Sequence, residues 1–230
     1  MPLPARRWFS ALAYRDAVLA TNPVAYWRLG ERSGTVARDE MGANNGAYVN
    51  APTLGVAGLL AGDADRGVTL NGTSQYVYLP NTTSDTSGVK SCSLSVWVNA
   101  APPAVTRYLL GNFYSSVSAG LWLAVDPAGS YIVRRDASAA QDYVAGPILN
   151  GTHHLVGTYD GATMRLYVDG ASVGTPAASS RVLPAVVVTR AGLNEGATGS
   201  LSGTIDELAI WNRALTAAEV AALYRVGMGR

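Results

Sequence analysis

The feature that most constrains the fold is a series of short segments in which apolar and polar residues alternate. In residues 93–99, aliphatic side chains at every second position share one face of an extended chain, and residues 164–168 repeat the pattern. A period of two is typical of a β-strand with one buried face. Turn residues separate such segments at intervals of roughly 8–12 residues, which favours an antiparallel sandwich. These turns are Asn71-Gly72, Asp126-Pro127, Asp160-Gly161 and Asp169-Gly170.

The composition predicts a globular protein, and the length fits a single all-β domain. Of the 230 residues, 48% are hydrophobic and 14% are charged, which separates the chain from disordered proteins. No alternation of strands with helices is visible, so a parallel sheet is not expected, and the lack of an internal repeat favours one domain. Cys92 is the only cysteine, which excludes an intramolecular disulfide.

Charge and hydropathy argue against two classes of partner. The net charge of +1 gives no electrostatic basis for binding nucleic acid. No apolar run approaches the ~20 residues of a membrane span, so we expect no membrane insertion. The N-terminal segment lacks the continuous apolar run of a signal peptide, so we expect no secretory signal.

Both ends of the chain predict short helices. Near the C-terminus, Thr216 and Glu219 form a capping box, an apolar stripe follows, and Gly227 is placed to end the helix. Toward the other end, residues 14–20 carry alanines on one stripe and predict a second short helix.

The first residues of the chain look separate from the strands that follow. We expect an N-terminal arm and short helix over residues 1–22 and the sandwich domain over residues 23–230. Two interpretations of the arm stay open. One is a disordered tail, and the other is an arm that docks on another subunit, because large apolar side chains are costly to leave in water. The partner-binding residues of the second interpretation are Arg6, Arg7, Trp8 and Phe9.

Several segments resemble a known family. AYWRLGE at residues 25–31, LNGTSQYV at 70–77 and SLSVWV at 93–98 resemble its first signatures. HHLVGTYDG and MRLYVDG within 153–170 are the most specific, and GTIDELAIWNRAL at 203–215 closes the pattern. In this order they resemble laminin-G-like domains of the concanavalin A-like jelly-roll type. The resemblance implies two curved antiparallel sheets packed face to face, and a function in binding glycans, proteins or cell surfaces.

A narrower resemblance concerns the segment that leads into the domain. YRDAVL at residues 14–19 and NPVAYW at 22–27 are similar to laminin-G-like proteins of actinobacterial phages, often minor tail or other virion proteins. This implies a non-enzymatic virion protein, a minor tail or capsid decoration component, made without a signal peptide. Its partners would be other virion proteins or copies of itself, with a host-surface glycan as a further candidate. The alternative is a carbohydrate-binding lectin module of a bacterial cell-surface or secreted protein, located outside the cell.

The family resemblance also implies a structural calcium ion. Glu31, Asp39 and Asp206 lie in segments where the family tends to supply oxygen ligands, which calcium prefers. The competing interpretation is that Asp39 caps a turn and that Asp206 forms hydrogen bonds within the sheet. No other cofactor is expected.

Sequence signals for catalysis are weak, so no enzymatic activity is expected. Glycoside hydrolysis needs two carboxylates about 5–9.5 Å apart. Asp206 and Glu207 are adjacent, so on a regular strand they would point to opposite faces. His153 and His154 diverge in the same way, and the chain has no third histidine and no cysteine near them in sequence to complete a zinc site.

Aromatic residues offer a platform for a ligand, because sugar rings and apolar side chains stack on aromatic faces. The alternative is that these residues are half-buried sheet residues without a ligand. The sequence does not say which face of the sandwich is open. The candidates are Tyr108, Tyr114, Trp122, Tyr131 and Tyr143.

Overall fold

A computed structural model describes residues 12–80, 91–114, 119–136, 138–181, 188–194, 196 and 199–230. These residues form two antiparallel sheets packed face to face, and the expected all-β sandwich with a short C-terminal helix is confirmed. The first elements are α1 (Leu12–Ala20), β1 (Ala25–Trp27), β2 (Val36–Ala37), β3 (Gly46–Val49), β4 (Thr53–Ala57), β5 (Arg66–Asn71), β6 (Tyr76–Leu79), β7 (Cys92–Ala100) and β8 (Arg107–Tyr114). The others are β9 (Ala119–Asp126), β10 (Gly129–Arg135), β11 (Gln141–Ala145), β12 (Gly151–Tyr159), β13 (Thr163–Val168), β14 (Ala171–Ala178), β15 (Val188–Ala191), β16 (Ser202–Trp211) and α2 (Ala217–Gly227).

Each sheet joins strands from distant parts of the chain. Sheet A has the order β14-β13-β12-β7-β16-β5-β4, and β1 pairs with β16 beside this path. Sheet B has the order β11-β10-β9-β8-β15-β6-β3-β2. Neighbours such as β7 with β16 and β8 with β15 are far apart in sequence, which is the connectivity of a jelly-roll sandwich.

The core between the sheets follows from the alternation in the sequence. In β7, Leu94, Val96 and Val98 belong to the core between the sheets. Trp97 and Ser95 point to the other side of the strand, where the hydroxyl of Ser95 contacts His154. The predicted two-residue period of this strand is therefore confirmed. Burial of each aliphatic side chain stabilises the fold by roughly 1.5–3 kcal/mol.

A second apolar layer covers the outer face of sheet A. Helices α1 and α2 pack there against Trp97 and Trp211, which are both fully buried. The indole N–H of Trp97 donates to the hydroxyl of Tyr14 at 2.8 Å, and that of Trp211 donates to Thr21 Oγ1 at 2.9 Å. A tightly packed and hydrogen-bonded interface therefore crosses the domain boundary expected between residues 22 and 23.

The N-terminal arm precedes helix α1. Its expected partner-binding residues, Arg6, Arg7, Trp8 and Phe9, lie outside the described residues. Within the described part of the chain, no helix is long and apolar enough to cross a membrane.

Helix α2 begins at the capping box that the sequence predicts. Thr216 Oγ1 accepts the backbone N–H of Glu219 at 3.2 Å, and the Glu219 carboxylate accepts the N–H of Thr216 at 2.7 Å. Arg213 lies 2.6 Å from the same carboxylate, and its hydrogen bond lowers the pKa of Glu219 to about 2. The helix ends at Gly227, as expected.

We expect Thr216→Ala to lower the free energy of unfolding by about 0.5–2 kcal/mol, because the N–H of Glu219 loses its acceptor. Urea unfolding followed by circular dichroism measures the difference. The matched control is Thr175→Ala, which removes an exposed threonine from the edge strand β14, away from any helix cap. Equal stability of Thr216→Ala and the wild type would show that the capping box contributes nothing.

Candidate functional site

Among the described residues, four aromatic ones converge on the outer face of sheet B, on the side of the sandwich away from the helices. In β9, Leu121 and Leu123 face the core, so Trp122 projects outward. Strand pairing places outward-facing residues of neighbouring strands side by side. Val133 of β10 lies opposite both Trp122 of β9 and Tyr143 of β11. The four residues are Tyr108, Trp122, Tyr131 and Tyr143.

These side chains line a groove of about 420 Å³. The ring centroids of Tyr108 and Trp122 are 6.0 Å apart with planes at 56°, and those of Tyr131 and Tyr143 are 5.9 Å apart at 69°. Trp122 forms the floor and is 3% exposed, whereas Tyr143 at the rim is 53% exposed. Tilted and edge-on contacts are favourable for aromatic pairs and hold the rings in place. The groove therefore presents aromatic rings that are ordered by contacts with one another.

Polar side chains surround the aromatic floor. Asp126 Oδ1 accepts the N–H of Ala128 at 2.7 Å and of Gly129 at 3.1 Å, which fixes the turn between β9 and β10. The Nε of Arg135 is buried without a hydrogen-bond partner in the described structure. Apolar walls with a few convergent polar groups are characteristic of small-molecule sites. The polar lining residues are Thr106, Asp126, Arg135 and Gln141.

The sequence predicts only part of this groove. Its four aromatic residues all belong to the expected candidates, and the side chain of the fifth candidate, Tyr114, lies outside the described residues. The polar lining residues were not expected. Arg135 lies on the same face of β10 as Tyr131, so the two-residue period of this strand could have predicted it as a lining residue. Thr106 precedes β8 and belongs to no pattern.

A second group of polar side chains gathers around the partly buried Arg28. Its Nη2 lies 3.0 Å from Asp63, 2.9 Å from Asp65 and 3.0 Å from Glu207. The hydroxyl of Tyr26 donates to Glu207. Burial raises the pKa of Glu207 to about 7, although Arg28 and Tyr26 act to lower it. Since Glu207 is 1% exposed, a ligand has no access to this carboxylate.

Asp206 and Glu207 both enter this cluster, so the expectation that they point to opposite faces is wrong. Strand β16 contains a bulge between Asp206 and Ala209, and Glu207 adopts a φ of 53°. A bulge inserts an extra residue and redirects the side chains around it. Burial, and then the neighbouring carboxylate of Glu207, raises the pKa of Asp206 well above its usual range.

Asp39, one of the expected calcium ligands, caps the loop that follows β2. Its Oδ1 accepts the N–H of Tyr26 at 2.9 Å and of Met41 at 3.0 Å. Its Oδ2 accepts the N–H of Ala43 at 3.2 Å and of Asn44 at 2.9 Å. Four donors occupy both oxygens, so this carboxylate fits the role of a cap and does not fit the role of a calcium ligand.

The other two expected ligands are less fully occupied. Glu31 accepts hydrogen bonds from the N–H of Arg38 and the hydroxyl of Tyr48. Asp206 Oδ2 accepts the N–H of Leu59 at 2.8 Å, and its Oδ1 is buried without a partner in the described structure. Across the described ranges, no three acidic, histidine or cysteine side chains lie together in a metal-binding arrangement. The calcium ion stays a proposal that rests on the free oxygen of Asp206.

His153 and His154 have separate partners. The His154 ring is buried, stacks on Trp97 at a centroid distance of 4.8 Å, and places Nε2 2.9 Å from the hydroxyl of Ser95. Burial lowers the pKa of His154 to about 3, which keeps the ring neutral. His153 Nδ1 lies 2.8 Å from the carboxylate of Asp169. Both rings therefore take part in packing or hydrogen bonding within sheet A.

Residues 71–221 match the family model of the concanavalin A-like lectin/glucanases superfamily. No curated protein matches the sequence.

Solved structures share the fold at low sequence identity. The binding domain of Paraclostridial Mosquitocidal Protein 1 has a TM-score of 0.73 and 15% identity, and the match covers 90% of this chain and 53% of that domain. The binding domain of botulinum neurotoxin serotype D has a TM-score of 0.69 and 10% identity, over 91% and 52%. Trypanosoma rangeli sialidase in complex with 2,3-difluorosialic acid has a TM-score of 0.65 and 18% identity, over 89% and 33%. The chain thus spans about half of the toxin domains and a third of the sialidase.

On the calcium proposal, added calcium should raise the melting temperature in a concentration-dependent way, because an ion that binds only the folded state stabilises it. Asp206→Asn should remove this response, since it removes the charge that would hold the ion. Asp39→Asn is the control and should lower the melting temperature equally with calcium and with chelator. Identical melting of the wild type in calcium and in chelator would leave these carboxylates with structural roles alone.

Proposed function

We propose that this chain, which belongs to the concanavalin A-like lectin/glucanase superfamily, is a non-enzymatic glycan-binding domain. The observation that carries the proposal is the groove on sheet B, where four aromatic side chains converge. Their rings hold one another in place. A ligand that stacks on them therefore immobilises few further side chains, and little binding free energy is lost to conformational entropy.

The groove suits a sugar in two respects. The apolar face of a sugar ring stacks on an aromatic face, and Tyr143 offers such a face at the rim. The hydroxyl groups of a sugar need donors and acceptors, which Thr106, Arg135 and Gln141 supply around the floor. A purely apolar ligand would cover these polar groups without pairing them, which is unfavourable.

The positions of the carboxylates support binding rather than hydrolysis. Asp126 is the only carboxylate among the described lining residues of the groove, and its Oδ1 already accepts two backbone N–H groups. Hydrolysis of a glycosidic bond uses two carboxyl groups about 5–9.5 Å apart. The adjacent pair Asp206 and Glu207 belongs to sheet A and is buried.

For the biological setting, our proposal is a phage virion component, either a minor tail or a capsid decoration protein. The similarity of residues 14–19 and 22–27 to phage laminin-G-like proteins supports it, as does a fold whose single cysteine, Cys92, is buried and free. A glycan-binding face would suit contact with a host surface. The arm residues Arg6, Arg7, Trp8 and Phe9 would bind other virion proteins or further copies of the chain.

The second candidate is a lectin module of a bacterial cell-surface or secreted protein. The fold shared with two toxin binding domains favours it. Quantitative mass spectrometry of purified virions separates the two settings. A fixed copy number per virion supports the virion protein, and recovery from the cell surface or medium without virions supports the lectin module.

The direct test of the groove is binding of the full chain to a panel of oligosaccharides. We expect Tyr143→Ala to weaken binding by roughly two- to tenfold, which corresponds to the loss of one stacking contact of about 0.5–1.5 kcal/mol. The matched control is Ile148→Ala, which removes a side chain that is 55% exposed and does not line the groove. No binding by the wild type, or equal binding by Tyr143→Ala, would contradict the proposal.

A further inference from the structure

One wall of the groove is the edge strand β11. This strand pairs with β10 alone and lies at the end of sheet B. Its residues Gln141, Tyr143 and Ala145 line the groove. Asp142 and Val144 alternate with them and therefore face the inside of the sandwich, where Val144 belongs to the core. An edge strand has a ladder of hydrogen bonds on one side only, so contacts from inside the sandwich decide how firmly this wall is held.

Arg181 contacts β11 from inside the sandwich. Its Nη2 donates to Asp142 Oδ1 at 3.2 Å, and its Nε lies 3.1 Å from Asp142 Oδ2. Its Nη1 donates to Oδ2 of Asp136 at 2.9 Å, and Asp136 begins the loop that leads from β10 into β11. Hydrogen bonds from Ser138 and then Arg181 lower the pKa of Asp136 to about 2, so this carboxylate is charged at neutral pH. One guanidinium thus binds both the strand and the loop that leads into it.

The segment that contains Arg181 is anchored on sheet A. The N–H of Ser179 donates to the carbonyl of Ala162 at 2.8 Å, and the carbonyl of Ser179 accepts the hydroxyl of Tyr159 at 2.9 Å. Tyr159 ends β12, and Ala162 lies in the turn between β12 and β13. From sheet B, the buried Arg134 donates to the carbonyl of Arg181 from Nη2 at 2.6 Å and from Nε at 3.1 Å. Arg181 therefore bridges the two sheets behind one wall of the groove.

The other end of β11 touches sheet A through its backbone. Gly174 of β14 has a φ of 66°, and a Cβ at this position would collide with the carbonyl oxygen of Ala145. Direct contact between the two backbones fixes that end of the strand. The Asp142 end is held by the side chain of Arg181, so a substitution of Arg181 can release it.

We infer that Arg181 is a positioning residue for the groove. Its ion pairs with Asp142 and Asp136 fix β11 and so hold the ring of Tyr143 at the rim, in the orientation that stacks on a ligand. The inference rests on the proposed function of the groove. Arg181 does not line the groove, so its effect on binding passes through β11. Ion pairs between partly exposed side chains are individually weak, so the expected effect is moderate.

A double-variant cycle tests this role, with the affinity of the full chain measured by calorimetry for an oligosaccharide that binds in the panel. Arg181→Gln should weaken binding by roughly two- to fivefold, no more than the loss of the Tyr143 contact that it orients. In the Tyr143→Ala background, Arg181→Gln should cause no further loss, because two residues that act through one contact are not additive. Arg181→Lys keeps the charge without the planar fork and should weaken binding to an intermediate extent.

A matched control and a measurement without ligand separate positioning from a general defect. Arg165→Gln removes the ion pair with Asp160 on sheet A, whose atoms lie 2.7 Å apart, and should leave binding unchanged. Amide hydrogen exchange of the free chain should be faster in β11 for Arg181→Gln and unchanged there for Arg165→Gln. Circular dichroism shows whether each variant is folded, and if Arg181→Gln is unfolded, Arg181→Lys takes its place in the cycle.

Each contrary result has a distinct meaning. Equal binding by the wild type and Arg181→Gln, or unchanged exchange in β11, would overturn the inference and leave the proposed function standing. An equal loss with and without Tyr143 would show that Arg181 acts on the whole domain, which also overturns the inference. No binding of any oligosaccharide by the wild type would reject the proposed function and, with it, the role of Arg181 in the groove.

Discussion

The packing of two helices on sheet A is the constraint on which the rest of the structure depends. Trp97 and Trp211 project from the outer face of this sheet, and a bare sandwich would leave both in water. Helices α1 and α2 bury them, and truncation of a buried tryptophan costs about 3–5 kcal/mol. Both described helices lie on sheet A, whereas the groove with the exposed ring of Tyr143 lies on the outer face of sheet B.

The charged and aromatic residues are divided between the two sheets. On sheet A, the bulge in β16 directs Asp206 and Glu207 toward Arg28. Buried carboxylates are costly unless they are paired, and removal of the one guanidinium would leave several of them unpaired. Arg28 therefore compensates negative charge that would otherwise be buried without a partner. On sheet B, the exposed aromatic ring of Tyr143 is not needed to fill a core, and under the proposed function it stacks on a sugar ring.

Features that depend on neighbouring residues could be predicted from the sequence, and features that depend on strand pairing could not. The alternation in β7 and the capping box at Thr216 are local, and both are confirmed. Trp122 and Tyr143 come together only because β9, β10 and β11 pair in one register through Val133. The bulge at Glu207 has no local sequence signal, so the sequence predicted a regular strand there and placed its carboxylates wrongly.

The central claim is that the outer face of sheet B binds the ligand. Backbone amide chemical shifts of the ¹⁵N-labelled chain, recorded with and without an oligosaccharide that binds in the panel, test it most directly. We expect the largest changes in β8–β11, around Trp122 and Tyr143, with small changes in α1, α2 and β16. Changes concentrated around Arg28 and helix α2, with sheet B unaffected, would contradict the claim.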